Sequence, residues 1–218
     1  MAGIVSVIFD LDGTLLDTLD DLAAAINYAV QKQGYPPHSR DAVRSFVGNG
    51  AGTAIRRALP LDCDALEHTK TLASFREYYQ EHRTDATRPY DGIEKMLADI
   101  QARGIRVAVV SNKADENVKA LCQAYFGIEI AVGDQEGMPR KPAPDGVAKA
   151  MEQMGADVDR TVYVGDSEVD VETARNAGIP CLAVTWGFRS AQELRAAGAT
   201  RLVDTPAQLA DIILQEWA

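Results

Sequence analysis

Apolar residues in this chain fall in short unbroken runs, separated by stretches with a helical period. The runs lie at 4–9, 105–110, 128–132, 161–164 and 181–184 and are rich in Val and Ile. Most do not alternate with polar residues, the pattern of strands buried on both faces of a parallel sheet. The stretches 91–103, 114–126, 145–154, 168–177 and 191–197 read as helices, the first with Ile93, Met96, Leu97 and Ile100 on one side. Each stops at a glycine (Gly104, Gly127, Gly155, Gly178, Gly198), the residue best suited to the left-handed turn past a helix. Strands and helices alternating through short connections predict a doubly wound, Rossmann-like α/β fold.

Residues 15–87 break that rhythm. They hold no convincing strand and read as four helices at 20–33, 40–46, 53–58 and 64–82. In the first, Leu22, Ala23, Ile26 and Val30 share a face, and Thr18 with Asp21 suggests a capping box. A glycine-rich turn, Gly48-Asn49-Gly50-Ala51-Gly52, separates the second helix from the third. The expected organisation is an α/β core of residues 1–14 and 88–218, with a helical cap domain inserted at 15–87.

Composition narrows the function. The chain has 218 residues, 46% hydrophobic and 25% charged, with a formal net charge of −10. That length can bury a core without metal or disulfide staples. The negative balance argues against nucleic acid and anionic membrane surfaces, which attract basic faces. Cys63, Cys122 and Cys181 are widely spaced and form no CxxC pair, as expected of thiols in a reducing compartment. The first residues lack a basic region and a cleavage site, and no apolar run nears the ~20 residues of a membrane helix. A cytoplasmic monomer or homodimer is expected.

Four polar clusters stand out. Asp10-Leu11-Asp12-Gly13-Thr14 follows the first strand and sets two carboxylates two residues apart. Ser111-Asn112-Lys113 lies where a strand hands over to a helix, whose free N–H groups would suit an anion. Lys141 is held between Arg140 and the prolines Pro142 and Pro144. Asp166 follows another strand, with Asp170 one helical turn on. Alone, each has an ordinary reading: a solvated turn, a Ser cap, a surface lysine, acidic charges at a helix start. Together they all fall at the carboxyl ends of predicted parallel strands, where open α/β sheets bind ligands. They also supply a nucleophile, an acid/base, carboxylates for a divalent cation, and donors for phosphoryl oxygens, the parts list of phosphoryl transfer.

In these four motifs and their order the chain resembles the haloacid dehalogenase superfamily of aspartate-nucleophile phosphatases. The likeness spans nearly the whole sequence, and the helical insert is similar to that family's four-helix type of cap. Phe46-Val47-Gly48-Asn49-Gly50 with Arg57-Ala58-Leu59, Thr87-Arg88-Pro89-Tyr90-Asp91-Gly92 and Ala183-Val184-Thr185-Trp186-Gly187-Phe188 resemble the bacterial phosphoglycolate phosphatases within it. Ser111 stands where Thr is frequent, and Ala114 where that group often has Pro.

The resemblance implies an Mg²⁺-dependent phosphomonoester hydrolase acting on 2-phosphoglycolate or a similar small phosphorylated metabolite. Asp10 would be the nucleophile that forms an aspartyl-phosphate, and Asp12 the acid and then the base. Asp10, Asp166 and the backbone carbonyl of Asp12 would hold the metal. Ser111, Asn112 and Lys141 would bind phosphate, with Thr14 and Asp170 orienting these groups from behind. Gly48, Asn49, Gly50 and Arg57 (or Arg56) of the insert would contact the leaving group. Alternatives sharing the site are a pyrophosphatase and a sugar-phosphate phosphatase or mutase. More distant is a phospho-accepting signalling module, which lacks both the insert and the second aspartate.

Overall fold

The computed structural model describes residues 4–216. The first three and last two residues, which the sequence assigns to the α/β core, lie outside them. In chain order the elements are β1 (Ser6–Phe9), β2 (Leu16–Asp17), α1 (Leu19–Lys32), α2 (Arg40–Phe46), α3 (Ala51–Ala58), α4 (Ala65–His82) and β3 (Arg88–Pro89). There follow α5 (Ile93–Ala102), β4 (Arg106–Ala114), α6 (Asp115–Phe126), β5 (Ala131–Asp134), α7 (Asp145–Met154), β6 (Thr161–Gly165) and α8 (Glu168–Ala177). The chain ends with β7 (Cys181–Val184), α9 (Ala191–Ala196), β8 (Leu202–Val203), α10 (Pro206–Asp211) and a π-helical turn, Ile212–Glu216. It divides into two compact units: the chain up to Leu16 joined with that from Pro89 onward, and Asp17–Arg88.

The first unit is built on a six-stranded sheet in the order β5-β4-β1-β6-β7-β8. Every strand pair in it is parallel. β1 lies between β4 and β6, with Phe9 level with Val109 on one side and Val164 on the other. This register brings the residues after β1 and β6 to one edge of the sheet.

Side-chain alternation explains why the strands are apolar throughout. Val7, Phe9, Val109, Val162 and Val164 pack with Ile93, Met96, Leu97 and Ile100 of α5 and with Val118 and Leu121 of α6. Ile8, Ala108, Val110 and Tyr163 point the other way, onto Val147 and Ala150 of α7 and Ala174 of α8. Both faces are covered, so neither needs polar residues. Helices α6, α7 and α8 end on left-handed glycines, as expected. β8, α10 and the final turn had no expectation from the pattern. The buried thiol of Cys122 is pushed up to about 12 by burial, so it stays protonated.

The second unit is helical, with β2 and β3 pairing where the chain enters and leaves it. α1 buries Leu22, Ala25, Ile26, Ala29 and Val30, and α4 buries Phe75 and Tyr79. Ser39 caps α2 and Asp64 caps α4 through side-chain oxygens that accept backbone N–H groups. The expected capping box of Thr18 and Asp21 does not form, because the Asp21 carboxylate is used elsewhere. It accepts the amides of Ala86 at 2.9 Å and Thr87 at 2.8 Å, tying the end of the unit to the start of α1. Among the described residues no helix is long and apolar enough to cross a membrane.

Candidate active site

β1 ends by delivering Asp10, whose amide donates to the Val164 carbonyl at 2.8 Å and so continues the ladder one residue beyond the strand. The chain then turns sharply: the amides of Thr14, Leu15 and Leu16 all converge on the Leu11 carbonyl. Gly13 makes the turn possible with φ +89°, a conformation that a side chain would strain. A Cβ there would also stand 2.4 Å from Asp166 Oδ2.

β6 delivers Asp166 beside Asp10. Its Oδ1 accepts the Thr14 hydroxyl at 3.0 Å and its Oδ2 accepts the Phe188 amide at 2.7 Å. Gly187 is required for that second contact, since a Cβ on it would lie 2.4 Å from both Asp166 Oδ2 and the Gly13 carbonyl oxygen. Trp186 Nε1 donates to the Thr14 carbonyl at 3.0 Å and braces the turn from outside.

Asp170 is wholly buried, and its carboxylate is a brace. Oδ2 accepts both the amide and the hydroxyl of Ser167, completing a capping box at the start of α8. Oδ1 accepts Lys141 Nζ at 2.7 Å. The same ammonium donates to Asp10 Oδ1 at 2.8 Å and to the Tyr163 hydroxyl at 2.9 Å. Lys141 is therefore held at three points, and its backbone carbonyl accepts Asn112 Nδ2 at 3.0 Å.

β4 runs on through Ser111 and Asn112 to Ala114, past the strand end expected at 110, so Ser111 does not cap the helix, which starts one residue from the expected 114. β4 shifts register after Val110 and resumes with Ala114 opposite Asp134, and that long-range pairing keeps the segment out of α6. The site's donors at this point are strand residues, and α6 begins only at Asp115.

Oxygens of Asp10, Asp166 and Asp170 come within 4.8 Å of one another, all three residues buried. Lys141 is the buried cation bonded to this group. Burial pushes the Asp10 carboxyl up to about 7; the Asp170 charge adds to this and Lys141 opposes it. Asp166 is raised well above the usual carboxylate range, first by burial and then by Asp170 and Asp10. Burial alone would lower Lys141, but Asp10 and Asp170 outweigh it and hold the ammonium protonated. Among the described residues, these three buried carboxylates, two of them bonded to the Lys141 ammonium, are short of positive charge, and an all-oxygen donor set suits a hard divalent cation. The residues therefore fit Mg²⁺.

Three contributors had no role assigned from the sequence: Lys113, whose ammonium meets Asp12; Tyr163, whose hydroxyl supports Lys141; and Gly187. Tyr163 sits in an apolar strand and reads as core until its partners are known. Gly48, Asn49, Gly50 and Arg57 belong to the helical unit. There Gly48 and Gly50 adopt positive φ, and Arg57 Nη1 donates to the carbonyls of Ser45 and Phe46 at the end of α2.

A family model for haloacid dehalogenase-like hydrolases matches residues 7–184. An N-acetylmuramic acid 6-phosphate phosphatase of Pseudomonas aeruginosa is 34% identical over 212 residues, 95% of this chain and 94% of that one. A phosphoglycolate phosphatase of Neisseria meningitidis serogroup A is 38% identical over 205 residues, 90% of this chain and 86% of that one. A crystal structure from Lactobacillus delbrueckii subsp. bulgaricus matches with a TM-score of 0.94 at 35% identity, covering 98% of this chain and 99% of that one.

Proposed function

The chain belongs to the haloacid dehalogenase-like hydrolase family, and from that premise we propose that it is a Mg²⁺-dependent phosphomonoester hydrolase working through an aspartyl-phosphate on Asp10. The observation that carries this reading is the buried group of Asp10, Asp166 and Asp170 around Lys141, at the carboxyl edge of the sheet.

Asp10 attacks phosphorus through a carboxylate oxygen, and the bond to the leaving oxygen breaks. Asp12 gives its proton to that leaving oxygen and later takes one from the water that hydrolyses the aspartyl-phosphate. The carboxylates of Asp10 and Asp166, with the Asp12 carbonyl, would hold Mg²⁺. Both Asp170 oxygens are already engaged by Lys141 and Ser167, which favours a bracing role for it. When bound, the cation supplies the positive charge that the carboxylates and a phosphate dianion require. Lys141 keeps its proton and adds a fixed positive charge beside Asp10, while Ser111 and the Asn112 amide offer donors to the phosphoryl oxygens. Thr14 fixes the orientation of Asp166, and Asp170 that of Lys141.

The substrate we favour is 2-phosphoglycolate, supported by the relatives named for it and by the three stretches that resemble theirs. A sugar-phosphate substrate is the second reading, favoured by the likeness to the N-acetylmuramic acid 6-phosphate phosphatase over almost the full chain. Phosphate release from a panel of small phosphomonoesters with Mg²⁺ separates the two. Highest kcat/KM on 2-phosphoglycolate supports the first, and strong preference for N-acetylmuramic acid 6-phosphate the second. A hexose phosphate or nucleotide as the best substrate would sink the phosphoglycolate assignment. Gly48, Asn49, Gly50 and Arg57 stay in this proposal as specificity residues. Their substitution should then raise KM for the preferred ester more than it lowers turnover of an aryl phosphate.

A further inference from the structure

We propose that Lys113 is a positioning residue for the acid/base step, holding the Asp12 carboxylate by both of its oxygens; this rests on the reading of Asp12 given above. Lys113 Nζ lies 2.8 Å from Asp12 Oδ1 and 2.9 Å from Oδ2, a contact between residues 101 positions apart. The lysine side chain is only 6% exposed and that of Asp12 is 18% exposed. An exposed pair such as Lys95–Asp99 is weakened by solvent and by side-chain entropy. The Lys113 ammonium is instead almost wholly withdrawn from solvent, and its carboxylate partner is only partly exposed.

Two features show that the lysine is built in. Its backbone belongs to β4 and is clamped against β5, where a Cβ on Gly133 would come within 2.7 Å of the Lys113 carbonyl oxygen. The Gly133 amide donates to Asp115 Oδ1 at 2.9 Å, closing the other side of the same segment. Lys113 thus enters the site from the part of β4 just before the ladder to β5 resumes at Ala114, where Gly133 packs closely against its backbone. Asp12, by contrast, projects from the turn that converges on the Leu11 carbonyl. Those hydrogen bonds hold its backbone and leave the rotation of its side chain to be set by what the carboxylate meets.

An acid/base group has to reach the reacting oxygen within about 2.6–3.2 Å. Small displacements from such a geometry are costly, on the order of 10²-fold for 1 Å. In the first half-reaction the Asp12 proton passes to the leaving oxygen as its bond to phosphorus breaks. In the second, water loses a proton to Asp12 as it bonds to phosphorus and the Asp10 oxygen leaves. Lys113 exchanges no proton in either half; it keeps one carboxylate rotamer in place through both.

The test compares Lys113→Met, Lys113→Arg, Asp12→Asn and the Lys113→Met/Asp12→Asn pair, all saturated with Mg²⁺, in single turnover. Each is given 2-phosphoglycolate, whose alkoxide needs a proton to leave, and p-nitrophenyl phosphate, whose phenolate does not. Lys113→Met should slow phosphoenzyme formation about 10²-fold on the alkyl ester and less than about 10-fold on the aryl ester. Asp12→Asn should show the same pattern, the double variant should be no worse than Asp12→Asn, and Lys113→Arg should recover part of the loss. Should Lys113→Met fail to fold, Lys113→Arg carries the test, because its planar fork keeps the charge but displaces the carboxylate. Equal losses on both esters, a raised KM with kcat intact, or additive losses in the double variant would overturn the proposal. A leaving-group dependence in Asp12→Asn but none in either Lys113 variant defeats the positioning role alone. Its absence from Asp12→Asn defeats the reading of Asp12, and this inference with it.

Discussion

Lys141 Nζ stands 2.8 Å from Asp10 Oδ1, an ammonium and a carboxylate both buried and joined across 131 positions of sequence. The cation is placed by β6 and α8, through the Tyr163 hydroxyl and Asp170, before any substrate arrives. Preorganised charge of this kind needs no rearrangement as phosphoryl charge develops.

Removing that charge should be costly in two ways. Lys141→Met leaves Asp10 and Asp170 facing each other without it, and breaking a buried pair costs roughly 3–5 kcal/mol. A large fall in Tm and loss of kcat/KM by about 10²-fold or more are expected. Tyr163→Phe keeps the lysine but removes one acceptor, so stability should fall by only about 1–2 kcal/mol. Thermal unfolding and steady-state kinetics check both. Equal effects from the two substitutions would contradict the three-point support of Lys141.

The buried carboxylates give the metal-free protein a pH dependence of defined sign. An Asp carboxyl in the unfolded chain titrates near about 4, and burial pushes that of Asp10 up to about 7. Between these values the folded state binds more protons than the unfolded one, so stability falls as pH rises. Asp166 is shifted the same way and steepens the fall. Tm in EDTA should therefore drop between about pH 5 and about pH 8, and Mg²⁺ should restore more at the upper end. Asp10→Asn should flatten the slope. A metal-free Tm that rises through this window, with Mg²⁺ equally effective throughout, would contradict the charge imbalance.

Gly187 offers a test of Asp166 that removes no polar group. A methyl there would meet Asp166 Oδ2 and the Gly13 carbonyl oxygen, both at 2.4 Å, and one of them has to move. Gly187→Ala should raise the Mg²⁺ concentration for half-maximal activity by about 10-fold or more, with a stability cost of about 1–3 kcal/mol. A magnesium titration reads the first and thermal unfolding the second. An unchanged half-saturation would mean that Asp166 is not held through this contact.

Much of this was legible in the sequence because it is set locally. The strand at Cys181–Val184 and the helices Asp145–Met154 and Glu168–Ala177 have the bounds that apolar runs and terminal glycines indicate. Asp10, Asp166 and Lys141 follow elements whose order along the chain is clear, and the sheet then brings them together. What escaped depends on distant partners. Ser111-Asn112 looks like the end of the strand and a helix cap until Ala114 pairs with Asp134. Asp21 looks like a cap until the amides of Ala86 and Thr87 reach it from 65 and 66 residues away. Lys113 and Tyr163 have no local signature, because their partners, Asp12 in the turn after β1 and Lys141 in the loop before α7, are distant in sequence. β8 is only two residues long, too short for any period to show.

Trapping the covalent intermediate tests the proposed chemistry most directly. Asp12→Asn, in which hydrolysis of the aspartyl-phosphate should be slowed, is mixed with substrate and Mg²⁺, quenched in acid and digested for mass spectrometry. The peptide containing Asp10 should gain one phosphoryl group, and Asp10→Asn should show neither the label nor turnover. A label on any other residue, or Asp10→Asn retaining more than a few per cent of activity, would remove Asp10 as the nucleophile.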